Sequence, residues 1–424
     1  MNFYIYNLGC KVNSYESNVM KDNLINNGFK YSSVEEADVV IVNSCSVTNT
    51  ADNKTMKLIR HIRNNYDVIL VVVGCFIQAN KDDLSFIPGD ILIGNRFKSN
   101  IFSYIEKFVI EKERIEDVFD VSNISFEKMR LNNYDHTRAF IKIQDGCNNF
   151  CSFCIIPYTR GGVRSKPKDD VINEVKSLIA SGHKEIVLTG IHTGNYGAEF
   201  DDYDFASLLN DLVCIDGLER LRISSIEITE INDRVIDIIK NNDILVDHMH
   251  IPLQSGNDII LKSMNRKYDM KYFFDKIDIL RGIRPNISIT TDVIVGFPGE
   301  TDDLFLETVE NIKKIGFSKL HVFPYSRRKG TVADEMDNQI DECIKKKRTR
   351  ILLDLSKDLE LSYMKRFIGK KISFIPEVLK DGYLIGHTGN YLCIKCTGDV
   401  LSHNSIDVVI TDVSYPYCIA ERVD

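Results

Sequence analysis

The chain has 424 residues, 44% of them hydrophobic, enough for two or three domains with cores of their own. Its net charge of -8 carries no global basic field, so any contact with nucleic acid must rest on local positive patches. Eleven cysteines, no basic-then-apolar leader in MNFYIYNLGC, and a longest apolar run of only strand length (Val68–Val73) predict a soluble cytoplasmic protein whose clustered cysteines serve metal or redox chemistry.

The first hundred or so residues alternate short apolar runs with amphipathic stretches. NFYIYNL, DVVIVNS, VILVVVG and DILIGN read as buried parallel strands, with helices expected over Ser14–Asn27 and Thr50–Asn64. That alternation predicts a doubly wound α/β domain over residues 1–112. The charged stretch Glu111–His136 reads as a linker. A second α/β series fills residues 133–362 with the strand words AFIKIQ, EIVLTG, RLRISSIE, DHMHIPLQ, ISITTDVIVGF and KLHVFPYS, which predict a partial or full parallel (β/α) barrel whose chemistry sits at the carboxyl ends of its strands. It closes on one long charged helix, Asp341–Phe367. Residues 364–424 alternate polar and apolar between the turns KDGY, HTGN and CTGD, as a small antiparallel β-barrel would.

Cys147, Cys151 and Cys154 are spaced C-x3-C-x2-C just after the strand AFIKIQ. A strand cannot aim three side chains so spaced at one point, but a loop wrapped around a compact inorganic core can. Thiolates suit zinc or iron–sulfur clusters. Zinc asks for a second C-x-x-C or a histidine pair at ribbon spacing, which the flanking sequence lacks. A [4Fe–4S] cluster with one iron open to a ligand is therefore favoured. Cys10, Cys45 and Cys75 each end a predicted strand of the first domain. Singly each reads as a buried hydrophobe. Together, at the rim where open α/β sheets bind ligands, they predict a second three-thiol cluster site.

C-x3-C-x2-C after the first strand of a βα barrel resembles the radical S-adenosylmethionine (SAM) superfamily. The flanking words NLGCKVNSYES, VNSCSVTNTAD, VVVGCFIQAN, IQDGCNNFCSFCIIPYTRG, TGIHTGNYG and HVFPYS are similar to the methylthiotransferases within it, above all those acting on threonylcarbamoyladenosine in tRNA. The terminal barrel resembles a TRAM RNA-binding domain. This likeness implies two [4Fe–4S] clusters and SAM as cofactors. Cys147, Cys151 and Cys154 would hold the cluster that cleaves SAM to a 5′-deoxyadenosyl radical, and Cys10, Cys45 and Cys75 the auxiliary cluster that presents sulfur. SAM contacts are expected from Thr189, Gly190, Glu227, Gln254, Ser255, Asp292 and Gly296. The implied partners are the tRNA anticodon loop and a reductase or flavodoxin- or ferredoxin-like electron donor, with no membrane. The implied product is the 2-methylthio derivative of the modified adenosine at position 37.

Arg160, Arg164, Lys166 and Lys168 follow the cysteine loop as a basic run and are expected to hold RNA phosphates. SRRKG (Ser326–Gly330) and KKKRTR (Lys345–Arg350) are further basic runs, the latter also readable as a solvated helix face. Tyr383, His387, Tyr391 and Lys395 are expected RNA contacts of the terminal barrel. The C-x-x-C of Cys393 and Cys396 reads as ordinary packing, because the two point to opposite faces of a strand. Alternatives are isopentenyladenosine or ribosomal protein S12 as substrate, or a non-catalytic iron–sulfur RNA-binding module.

Overall fold

The structure, a computed structural model, describes residues 1–121, 124–131, 134, 137–402 and 404–423. The N-terminal sheet contains β1 (Asn2–Asn7), β2 (Lys30–Tyr31), β3 (Val39–Ser44), β4 (Ile69–Gly74), β5 (Ile91–Ile93) and β6 (Ile115–Asp117), all parallel in the order β2-β1-β3-β4-β5-β6. The period of two decides which residues face which layer. Val40, Val42, Leu70 and Val72 meet Ile59 and Ile62 of the helix Asn49–Asn65 on one face. Val39, Ile41, Val71 and Val73 meet Met20 and Leu24 of the helix Lys11–Asn26 and Ile101 and Ile105 of the helix Ile101–Glu111 on the other. Burial on both faces is why these strands read as unbroken apolar runs.

The sheet runs past residue 112, because β6 pairs with β5. The stretch expected to be a linker is also more than that. Val121, Met129, Leu131 and Tyr134 are buried, the last three in the barrel core, and Glu127 accepts hydrogen bonds from the backbone N–H groups of Phe97 and Ser99. Charge density concealed these apolar anchors.

The barrel comprises β7 (Arg138–Lys142), the short antiparallel pair β8 (Gln144–Asp145) and β9 (Arg164–Ser165), then β10 (Glu185–Thr189), β11 (Arg220–Ile223), β12 (His248–His250), β13 (Ser288–Val295) and β14 (Lys319–Pro324). Two parallel three-stranded sheets, β11-β10-β7 and β12-β13-β14, meet through the bridge Leu221–Leu245 and a hydrogen bond from Ile226 N–H to His250 O of 3.1 Å. The result is an open arc, a partial barrel with β7 and β14 at its edges. The helix Lys11–Asn26 packs on β7, inserting Tyr15 into the barrel core, where its hydroxyl donates to Glu174 Oε1 at 2.9 Å. The helix Glu342–Lys365 covers β14.

β15 (Lys371–Lys380), β16 (Tyr383–Thr388), β17 (Cys393–Thr397), β18 (Ile406–Ser414) and β19 (Tyr417–Arg422) close a barrel in the order β15-β16-β17-β19-β18. Four neighbouring pairs are antiparallel as expected, and β17 runs parallel to β19. Parity requires this: an odd number of strands cannot alternate direction all the way round a closed ring. Cys396 and Cys418 are buried inside this barrel. It is fastened to the central arc by Arg138 to Glu377 (3.3 Å), Arg220 to Ser373 O (3.0 Å) and Arg222 to Gly389 O (3.1 Å).

Candidate active site

Cys10, Cys45 and Cys75 follow β1, β3 and β4, which are neighbours in the sheet, so the three thiols meet at one carboxyl rim. Cys10 caps the helix Lys11–Asn26, and Cys75 opens the helix Cys75–Ala79. Two glycines allow the approach. Gly9 has φ +132, and a Cβ there would stand 2.9 Å from the Cys45 Cβ; Gly74 has φ +105, and its Cβ would meet Ser44 O at 2.7 Å. Asn95 Nδ2 donates to Cys75 Sγ at 3.3 Å and to Thr159 O at 2.9 Å, tying this rim to the helix Ile156–Arg160 of the second cysteine segment. Burial, reinforced by Cys75, pushes the Cys45 thiol up to about 11.

The second triad sits on a loop with fixed ends. Cys147 N–H donates to Gly161 O at 3.0 Å, and Gly146, at φ +73, would drive a Cβ to within 1.9 Å of Gly162 O. Ser152 Oγ donates to Ser263 O (2.9 Å), and Asn265 Nδ2 to Phe150 O (2.9 Å). Burial pushes the Cys154 thiol up to about 12. Arg266 Nη1 donates to Cys151 Sγ at 3.2 Å and its other amino group to Glu227. His192 lies 3.6 Å from Cys147 Sγ and hydrogen-bonds Glu230; against burial, these two contacts raise it to about 10.

Each site thus offers three soft thiols near a guanidinium able to offset thiolate charge, Arg160 for one and Arg266 for the other. That donor chemistry fits iron–sulfur clusters. Among the described residues no three His, Cys, Asp or Glu side chains are grouped to hold a single metal ion, the arrangement a lone zinc requires.

Between the triads lies a buried ionic network that overturns part of the expected RNA surface. Glu16 accepts from Lys98 (2.5 Å), Lys142 (2.7 Å) and Arg160 (3.0 Å); Asp145 accepts from Lys142 (2.7 Å), Arg160 (3.1 Å) and Arg164 (2.9 Å). Burial alone would raise the Glu16 carboxyl, but Arg160, Lys142 and Lys98 outweigh it and hold the group well below the usual range. Arg160 is fully buried, Arg164 also donates to Arg160 O, and Lys166 is buried against Glu174 and Met129 O. None of the three presents its charge to a phosphate. Only Lys168 of that run is exposed.

The other basic runs are partly structural too. Arg328 binds Asn49, Asp52 and Ser46, clamping the loop after Cys45 to the barrel domain. Lys345 lies against Gly296, and Arg348 pairs with Glu300.

One cavity of about 820 Å³ opens beside Cys10, between the arc and the terminal barrel. Thr189, Gly190, Asp292, His248, His250, Tyr391 and Cys393 line it. His250 Nε2 is 3.2 Å from Asp292 Oδ2, and both histidines contact Thr290 Oγ1. Ser255 and Gly296 lie outside its lining: Ser255 is buried against Thr308, and a Cβ on Gly296 would meet Lys345 Cγ at 2.4 Å. Gln254 takes φ +65, pairs with Val293, and lies outside this cavity's lining. Tyr391 and His387 also face this cavity, whereas Tyr383 and Lys395 form an ammonium-on-ring pair at 4.0 Å on β16 and β17. Glu16, His192, Glu230 and Arg266 were not singled out in the sequence. All of them act through partners distant in the chain.

Residues 141–312 match the Radical SAM superfamily, and residues 2–94 match the uncharacterized protein family UPF0004. The chain is 41% identical over 97% of its length to the threonylcarbamoyladenosine tRNA methylthiotransferase MtaB of Bacillus subtilis, covering 94% of that protein. It is 35% identical over 90% of its length to the tRNA-2-methylthio-N(6)-dimethylallyladenosine synthase of Thermoanaerobacter pseudethanolicus, covering 82% of it. The fold is also similar to the radical SAM methyltransferase TsrM of Kitasatospora setae, at a TM-score of 0.58 and 12% identity over 78% of this chain and 73% of that one. With relatives this similar across nearly its full length, and with two strand-end cysteine triads in its fold, the chain belongs to the radical-SAM tRNA methylthiotransferases.

Proposed function

We infer that this chain converts N6-threonylcarbamoyladenosine in tRNA, at position 37 beside the anticodon, to its 2-methylthio derivative, in the cytoplasm and with SAM and two [4Fe–4S] clusters as cofactors. One observation carries the reading: a single cavity touches Cys10 of the first triad together with Thr189, Gly190 and Asp292 of the barrel strands. When bound, the cofactors supply a 5′-deoxyadenosyl radical able to take hydrogen from an unactivated aromatic C–H, and a methylated sulfur to replace it.

The residues bind, orient and balance charge. Cys147, Cys151 and Cys154 would hold the cluster that engages SAM, and Cys10, Cys45 and Cys75 would hold the other. Arg266 beside Cys151, and Arg160 near Cys10 and Cys75, offset the charge of the thiolates. Asp292, oriented by His250, and Glu227, held by Arg266, are the carboxylates placed to accept hydrogen bonds from SAM. Lys168, the Tyr383–Lys395 pair and the exposed rings of Phe150 and Tyr158 offer phosphate contacts and stacking faces to an anticodon loop. Electrons come from a flavodoxin- or ferredoxin-like donor or a reductase.

The test is anaerobic reconstitution, followed by incubation with reductant, SAM and tRNA. The chain should bind about eight irons and yield 5′-deoxyadenosine and 2-methylthio-N6-threonylcarbamoyladenosine by mass spectrometry of nucleosides. The triple alanine variant of Cys10, Cys45 and Cys75 should keep about four irons and still cleave SAM, but make no methylthio product. If that variant retains both clusters, the ligand assignment is wrong. If the wild-type protein leaves threonylcarbamoyladenosine unchanged, the substrate is wrong.

A further inference from the structure

Threonylcarbamoyladenosine differs from adenosine and from dimethylallyladenosine by a carboxylate on its N6 substituent, so a site selective for it needs a cation that nothing in the protein already occupies. Two cationic side chains of the lysine and arginine type line the cavity, Lys11 and Lys319. Lys319 is paired with Glu360 at 3.0 Å. The nearby guanidiniums are engaged as well: Arg138 donates to Tyr391 Oη at 2.8 Å and pairs with Glu377, and Arg222 donates to Glu185 at 2.8 Å. Lys11 has no side-chain hydrogen bond or ion pair among the described residues.

The local structure makes this unpaired cation costly. Lys11 is the first residue of a 16-residue helix with no side-chain cap and no acidic residue in its first turn. A positive charge there opposes the helix macrodipole, which instead favours an anion at that end. Tyr391, on the cavity wall beside it, holds a left-handed backbone (φ +69) that a non-glycine residue rarely takes. Ser224, Ser225, Ser288 and Thr290 also line the cavity, three of them already hydrogen-bonded within the protein: Ser224 to Thr193, Ser288 to Ser318, and Thr290 to His248 and His250. Discrimination against a dimethylallyl chain therefore rests on the cation, which such a chain would leave unpaired. Lys11 also follows Cys10 directly, which sets the cation beside the thiols assigned to sulfur delivery.

We propose that the Lys11 ammonium, at the N-terminus of its helix on the cavity wall, pairs with the carboxylate of the threonylcarbamoyl group and is the residue by which this enzyme selects the anionic base. The assignment rests on the methylthiotransferase reading above.

The test uses the cluster-reconstituted full chain and three anticodon stem-loop RNAs, bearing adenosine, threonylcarbamoyladenosine, or the latter with its carboxylate converted to an amide. The wild-type protein should bind the carboxylate RNA more tightly than the other two. Lys11→Met should erase roughly tenfold of that preference, the size of one charge-assisted hydrogen bond, while affinity for the adenosine RNA and the iron content stay unchanged. Lys11→Arg should restore most of the preference. If Lys11→Met loses iron, Lys11→Gln, which keeps a polar stem, carries the same comparison. Equal weakening for all three RNAs would mean a phosphate contact and overturn the proposal, as would an unchanged preference. If the wild-type enzyme methylthiolates none of the RNAs, the functional reading fails, a result separable from any behaviour of Lys11.

Discussion

Glu16→Gln tests the ionic network between the two triads. The carboxylate is about 1% exposed and accepts from Lys98, Lys142 and Arg160 at 2.5, 2.7 and 3.0 Å. Without its charge, Lys142, Arg160 and Arg164 share one carboxylate, Asp145, and Lys98 is left with Asn43 Oδ1 at 3.2 Å. Removing one member of a buried pair costs ~3–5 kcal/mol, a large part of a total of ~5–15 kcal/mol. At ~2–4 °C per kcal/mol, the unfolding midpoint falls by roughly 6–20 °C. The pH dependence has a definite sign. The folded carboxyl lies below its unfolded value, so its stabilisation is fully present above about pH 4.3 and is lost as pH falls further toward the folded value. Scanning calorimetry of cluster-loaded wild type and variant should therefore show the same gap at pH 8 and pH 6. A gap under about 1 kcal/mol, or one that changes between those pH values, refutes the reasoning.

Gly9→Ala places a methyl group 2.9 Å from the Cys45 Cβ on a backbone at φ +132, so about four irons should be lost while SAM cleavage persists; iron analysis and 5′-deoxyadenosine assays check it. Arg328→Ala frees the loop after Cys45 from Asn49, Asp52 and Ser46 and should lower iron retention and cost ~2–4 kcal/mol, read by chelator challenge and thermal unfolding. Lys168→Ala should weaken tRNA binding uniformly and reduce the salt slope by about 1, whereas Arg164→Ala should act on stability, because its guanidinium is spent on Asp145 and backbone carbonyls. An unchanged slope for Lys168→Ala would remove that residue from the RNA surface.

The cysteine triads were legible because their signals are local. C-x3-C-x2-C lies within eight residues, and Cys10, Cys45 and Cys75 each end an unmistakable strand word. Parallel pairing of β1, β3 and β4 then needs only the α/β rule to bring them to one rim. The basic run after Cys154 was misread for the opposite reason. Arg160 and Arg164 look like surface charge in sequence, but their partners are Glu16, 144 residues from Arg160, and Asp145 across a two-strand pair. Ser255 and Gly296 likewise take neighbours, Thr308 and Lys345, from helices that return over them from beyond residue 300.

Element types, the three-part division and the two thiol sets are legible in the chain alone, because hydrophobic period and strand-end position are properties of short segments. Which charges are buried is settled by folding in three dimensions. Whether a cation is paired or free depends on acids brought beside it by folding, and no local pattern records their arrival. That is why Arg160, in the most conspicuous motif of the chain, is an interior counter-charge, whereas Lys11, at a helix start, lines the cavity with no side-chain ion pair among the described residues.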